Sequence, residues 1–254
     1  MRFDPSTIAN AATIVILAKR GAGKSFLCRD LMNHLRHYPS FAIICPTDRE
    51  TRSYDENIEE TSFIHYEFTE PLMENILNRQ SAITTKAVDY LNKGKILDPR
   101  MLLVLDDIQG DTDILKKSKS LKRLFLNGRH LAITLIIICQ SAKGIPPDLR
   151  ENTDYVFILK NNSIGAQKKA HECYGGALGK FSDFRKVHAE LTTDRKCIVI
   201  DNKTQNENCV FWYKASPVQG KIKFCSNSFR TFHKKNYNKN WRTDNAKNII
   251  NIKF

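Results

Sequence analysis

A lysine and a hydroxyl stand side by side at Gly23-Lys24-Ser25, two residues beyond Gly21 and just after the apolar run Thr13 to Leu17. The stretch TIVILAKRGAGKS is the pattern of a loop that holds nucleotide phosphates. Its glycines let backbone N–H groups crowd around phosphate oxygens, and the N-terminus of the helix that follows favours an anion. Lys24 supplies a point charge for the β- and γ-phosphates, and the Ser25 hydroxyl is placed one residue later to coordinate Mg²⁺. Lys19, Arg20, Gly21, Ala22, Gly23, Lys24, Ser25 and Phe26 therefore form the expected cofactor-binding stretch, with ATP and Mg²⁺ as cofactors. Ala18 stands where the pattern G-x-x-x-x-G-K-[ST] begins with glycine, one departure in an otherwise complete match. The plainer alternative is a glycine-containing turn that opens a helix and holds no ligand.

Two further strand ends carry polar groups suited to the same site. The run MLLVLDD ends in Asp106 and Asp107. A strand beside a phosphate loop must present a carboxylate to the Mg²⁺ shell, and Asp106 fits that role. Asp107 is placed to orient or deprotonate the attacking water, which needs a carboxylate near the metal but not on it. Alternatively, both acids simply end the strand. Gln140 closes the run LAITLIIIC and can hydrogen-bond both a water and a phosphate oxygen, so it is the candidate sensor of the γ-phosphate. A strand cap is its bland reading.

These groups need elements to hold them. Leu27, Leu31 and Leu35 recur at the spacing of one helical face. Phe41 to Cys45, Met101 to Asp107, Leu131 to Cys139 and Tyr155 to Leu159 read as strands, and Asp48 to Glu60 as a polar surface loop. Ser62 to Phe68 suits an accessory strand. Pro71 to Leu91, Asp111 to Gly128, Ile164 to Tyr174 and Phe184 to Leu191 read as helices. In the second of these, Lys116, Lys117, Lys119, Lys122 and Arg123 make a basic outer face, either solvated or lying near DNA. Lys196 to Asp201 and Cys209 to Lys214 suggest a hairpin on the sheet edge. Alternating strands and helices imply right-handed crossovers and a mainly parallel α/β sheet.

The composition shifts near Ser216, which divides the chain into residues 1–214, a P-loop ATPase domain, and 215–254, a basic, aromatic-containing tail. Phe224, Phe229, Phe232, Tyr237 and Trp241 are interleaved with cations there, so the tail either grips nucleic acid or docks its rings on the domain. The formal net charge of +13 over 254 residues points to a polyanionic partner. Seven scattered cysteines without a C-x-x-C pair read as reduced thiols. No apolar run reaches transmembrane length and no signal-peptide layout opens the chain, so a soluble, intracellular protein without an integral membrane segment is expected.

Taken in order, AKRGAGKS, LLVLDD, GRHLAITLIIICQS and PPDLRENTDYVFIL resemble the FtsK/HerA superfamily of DNA-pumping ATPases. The short length, the GRH before the sensor strand, and the late CIVIDN and VFWYKA segments most resemble the genome-packaging ATPases of poxviruses and other nucleocytoplasmic large DNA viruses. The resemblance covers roughly residues 10 to 214. It implies a RecA-like ASCE P-loop core with strand order 5-1-4-3-2 and a small C-terminal extension. It also implies a homo-oligomeric ring, pentamer or hexamer, that moves double-stranded DNA into a capsid. A capsid or portal-vertex partner would follow, as would a place at viral assembly sites in the host cytoplasm and in the virion.

Carried over by position, Lys24 and Ser25 are the Walker A pair, Asp106 the Walker B acid, Asp107 the catalytic position and Gln140 the sensor. Ala18 is a variation that the family tolerates, whereas Asp107 replaces the glutamate usual in the wider superfamily and has a shorter reach to the lytic water. Ring motors complete each site with a neighbour's arginine; Arg129 and Arg150 are the candidates, in that order, while Arg20 could act in cis. The competing readings are a nucleotide-dependent DNA-binding or scaffold protein with little turnover, and a cellular or plasmid FtsK/HerA-type translocase.

Overall fold

The apolar run Thr13–Leu17 forms β1, and four of its five residues are buried. Parallel strands flank it on both sides. β5 (Ile133–Cys139) pairs from Thr13↔Leu135 to Leu17↔Cys139, and β6 (Tyr155–Ile158) from Ile14↔Tyr155 to Leu17↔Ile158. Such β-branched runs without polar alternation suit strands covered on both faces. β4 (Met101–Asp106) lies beside β5, and β2 (Ser40–Ile44) beside β4, both parallel.

Across these five strands the order is β6-β1-β5-β4-β2, which is the expected 5-1-4-3-2 when they are counted along the chain. The two-residue β3 (Ile64–His65) extends the sheet beyond β2. At the other edge β7 (Lys196–Asp201) and β8 (Val210–Lys214) form the antiparallel hairpin anticipated there. The computed structural model describes residues 1–108, 114–204 and 208–237, and these make one eight-stranded sheet.

Period-two alternation decides which helix each strand residue meets. Ile14 and Ile16 face the core that contains Leu27, Leu31 and Met32 of α1 (Lys24–His34). Val15 and Leu17 face the opposite core, with α3 (Glu70–Asn92), α5 (Lys119–Asn127), α7 (Ile164–Tyr174) and α8 (Phe181–Leu191). α8 begins three residues before the expected Phe184.

Two expectations need correction. The helix read over Asp111 to Gly128 is interrupted: α4 spans Ile114–Lys117, and Ser118 caps α5 by accepting the Leu121 N–H at 3.0 Å. A serine that bonds the backbone ahead of it starts a helix more readily than it continues one. Residues 111–113 lie outside the described ones.

The stretch Asp48 to Glu60 is not a solvated loop. It contains α2 (Asp48–Thr51) and buries Tyr54, Ile58 and Glu60. The buried Asp48 carboxylate makes this possible, accepting the Tyr54 N–H at 2.7 Å, the Asp55 N–H at 3.2 Å and the Ser53 hydroxyl at 3.0 Å. Backbone donors that would otherwise need water are satisfied inside the fold.

Beyond Ser216, Ile222 exchanges backbone hydrogen bonds with Asn57 and Glu59, and Phe224 is buried in the α1-side core. Phe229 of α9 (Asn227–Asn236) stacks on Phe63, with centroids 3.8 Å apart. Trp241 lies outside the described residues.

His65 ends β3, and burial holds its imidazole neutral, with the pKa pulled down to about 4. Below pH 6.5 the unfolded chain binds a proton that the folded chain refuses, so stability is lost as pH falls from 6.5 towards 4. That loss reaches about 2 kcal/mol by pH 5. Urea unfolding at pH 7 and pH 5 should show a larger drop for the wild type than for His65→Gln, and equal drops would refute the assignment.

Candidate nucleotide site

The chain leaves β1 through Ala18, whose N–H donates to the Cys139 carbonyl at 3.0 Å, so sheet pairing runs one residue past the strand. Ala18 is buried and does not take a left-handed conformation, and the glycine that it replaces has no conformational task here. Gly21 and Gly23 do, with φ of +76° and +94°. A Cβ at either would meet nothing within 4 Å, so backbone conformation and not space demands glycine. Gly23 is also the N-cap of α1, and no side chain caps that end. The first-turn amides of α1 are therefore available to an anion. Lys19 and Arg20 are exposed on the loop, Ser25 is half-buried in the first turn, and Phe26 is 43% exposed beside it.

Lys24 reaches back from α1 to the end of β4. Its Nζ donates to Asp106 Oδ1 at 3.2 Å and lies 4.0 Å from Asp107 Oδ1. Asp106 is only 2% exposed, and its second oxygen accepts the Tyr54 hydroxyl at 2.9 Å. Burial pushes the Asp106 carboxyl up from the usual range, while Lys24 and the Tyr54 hydrogen bond pull it back. Tyr54 was missed by reading its segment as a loop; the only signal was the apolar pair Tyr54 and Ile58, one helical turn apart among charged residues.

Asp107 has φ of +56°, a left-handed conformation that aspartate tolerates better than longer side chains do. Gln140 donates through Nε2 to Asp107 Oδ1 at 2.9 Å. The β4–β5 register aligns Asp106 with Ile138, so Gln140, two residues on, falls at the same edge of the sheet. Three neighbouring parallel strands thus deliver Lys24, Asp106, Asp107 and Gln140 to one crevice at their carboxyl ends, where open α/β sheets bind ligands.

The arginines are distributed differently. Arg129 precedes β5 and so stands at the other edge, separated from Gln140 by a seven-residue strand, or roughly 20 Å. Its Nη2 donates to Asp154 Oδ1 at 2.6 Å, and the structure does not bring it to the crevice. Arg150 ends α6 (Pro147–Arg150) five residues before β6, and its carbonyl accepts the Thr153 N–H at 3.0 Å, so it too lies toward the starting edge; its buried Nε has no partner among the described residues. On α5, Lys119, Lys122 and Arg123 are exposed, as the basic outer face requires. Among the described residues no helix is long and apolar enough to cross a membrane.

A family model described as Poxvirus A32 protein matches residues 1–177. The uncharacterized protein L437 of Acanthamoeba polyphaga mimivirus is 36% identical over 253 residues, covering 98% of this chain and 88% of that one. The uncharacterized protein 088R of Invertebrate iridescent virus 3 is 32% identical over 217 residues, covering 84% and 78%. Among solved structures, the genome packaging NTPase B204 from Sulfolobus turreted icosahedral virus 2, in complex with AMPPCP, matches with a TM-score of 0.54. It is 10% identical and covers 85% of this chain and 100% of that one, a likeness of fold.

Proposed function

Because the chain belongs to the poxvirus A32 protein family, we propose that it is an ATP-hydrolysing motor that moves double-stranded DNA into a viral capsid. The observation that carries this reading is the meeting of Lys24, Asp106, Asp107 and Gln140 at the mouth of an uncapped helix. The likeness of its fold to B204, a genome packaging NTPase seen in complex with AMPPCP, is consistent with it.

In this reading the α1 amides and Lys24 hold the phosphates, and Lys24 exchanges Asp106 for the β- and γ-oxygens when nucleotide enters. Asp107 positions the attacking water and receives its proton, while Gln140, bonded to Asp107, couples the state of the γ-phosphate to β5. The donor set suits Mg²⁺: Ser25 and Asp106 offer hard oxygens, the ion commonly takes only one or two carboxylates, and the Lys24 ammonium already marks a cation position against Asp106. When bound, the ion would neutralise charge on the phosphoryl oxygens. Arg150, whose buried Nε has no partner among the described residues, would complete the site of a neighbouring subunit in a ring. The basic face of α5 and the net charge of +13 suit the DNA backbone.

Hydrolysis of ATP by the purified chain should require Mg²⁺ and rise several-fold when duplex DNA is added, with particle mass increasing to that of a ring in the presence of nucleotide. ATP turnover that ignores DNA under all salt conditions would overturn the motor reading.

A further inference from the structure

A triphosphate with its γ end at Lys24, Asp106 and Gln140 must send its nucleoside away from β4 and β5. In the sheet order the opposite direction leads across β1 to β6, β7 and β8. A cavity of about 450 Å³ opens there, bounded by the phosphate loop at Gly21 to Gly23, by Phe26, and by the hairpin side at Arg195, Lys214 and Pro217. Its size is that of a small-molecule site.

The polar lining is sparse. Lys214 is engaged by Asp194, with Nζ 2.6 Å from Oδ2, and the Cys197 thiol donates to the Tyr213 carbonyl at 3.5 Å. Arg195 is carried on the turn between α8 and β7, where Lys196 N–H donates to the Thr193 carbonyl at 3.0 Å. Asp194 and Arg195 are both left-handed at the centre of that turn. This presents the exposed Arg195 to the cavity opposite the loop. None of the lining side chains is an amide, a hydroxyl or a carboxylate, the groups that read the edge of a base.

We propose that this cavity is the nucleoside subsite, that Phe26 and Arg195 hold the base by stacking, and that it takes purine and pyrimidine nucleoside triphosphates alike. The inference rests on the phosphate-site reading given above. A phenyl ring and a planar guanidinium both stack on any base, because every base has a π-face. A site that does not hydrogen-bond the base edge gains little discrimination, whereas one built to do so rejects the wrong partner by factors of about 10⁴.

Calorimetric binding of ATP, GTP, CTP and inorganic tripolyphosphate to the full chain tests this. The three nucleotides should bind within about tenfold of one another. Arg195→Ala and Phe26→Ala should each weaken all three by about tenfold, the scale of one stack, and leave tripolyphosphate unchanged. Arg195→Lys, which keeps the charge but not the plane, should behave like Arg195→Ala. Both residues are exposed, so folding is not at stake. The subsite assignment is overturned if either alanine variant leaves ATP affinity intact or weakens tripolyphosphate equally, and the stacking account if any one of the three nucleotides binds more than about tenfold tighter than another. Failure of the wild type to bind tripolyphosphate, or binding indifferent to Lys24→Ala, would overturn the phosphate-site reading and this inference with it.

Discussion

Lys24→Ala is expected to lower kcat for ATP hydrolysis by at least about a thousandfold, the scale of a charge that stabilises the transferring phosphoryl group. It should also reveal a second role. In the absence of nucleotide, the Lys24 ammonium neutralises a carboxylate that is almost entirely buried, and its removal leaves Asp106 with the Tyr54 hydroxyl alone. An unpaired buried carboxylate is costly, and the cheapest relief is to take up a proton. Burial already raises the Asp106 carboxyl, so the loss of Lys24 moves it in the direction it already leans.

Lys24→Ala should therefore destabilise by about 1–3 kcal/mol at neutral pH, with part of that recovered on acidification. The double variant Lys24→Ala/Asp106→Asn should melt above Lys24→Ala alone, because a neutral amide no longer needs the cation. Turnover above one-tenth of wild type would sink the catalytic part, and additive losses in the double variant would sink the electrostatic part.

The sheet was legible because its central strands are unbroken apolar runs, and only strands covered on both faces need such runs. That Lys24, Asp106, Asp107 and Gln140 face one another follows from the same fact. Parallel strands begin at one edge and end at the other, and each of these residues ends a strand or follows one. Arg129 obeys the rule in reverse: it precedes β5 and falls at the starting edge, although it is only a few residues from the strand that carries Gln140. What escaped was structure built from polar residues. Asp48 and Glu60 are buried acids that satisfy loop backbone, so a segment that reads as solvated carries Tyr54 into the site. The left-handed backbone at Asp107 was likewise invisible, since one aspartate after another carries no signal of φ.

Asp154→Ala is expected to cost about 3 kcal/mol of stability, more than Arg129→Ala, and neither should touch chemistry directly. Asp154 is 3% exposed and sits where β1, β5 and β6 begin. Its carboxylate accepts the Thr13 N–H at 2.8 Å and Arg129 at 2.6 Å, with Lys203 3.7 Å away. Removing it orphans a backbone donor at the first residue of the central strand, one of the larger single penalties available, whereas Arg129 and Lys203 keep their access to water. Arg129 is 64% exposed, so its loss is screened by water and should cost about 1 kcal/mol.

Thermal melting of Asp154→Ala, Asp154→Asn and Arg129→Ala orders these costs, and Asp154→Asn should fall between the other two because it can still accept from Thr13. ATPase assays well below each midpoint should find Arg129→Ala near wild-type turnover and Arg150→Ala inactive. Inactive Arg150→Ala subunits mixed with inactive Lys24→Ala subunits should regain turnover, since each then supplies what the other lacks. If Arg129→Ala is instead fully folded, inactive and rescued in such mixtures, its pairing with Asp154 is incidental. The neighbour's site would then be completed by Arg129.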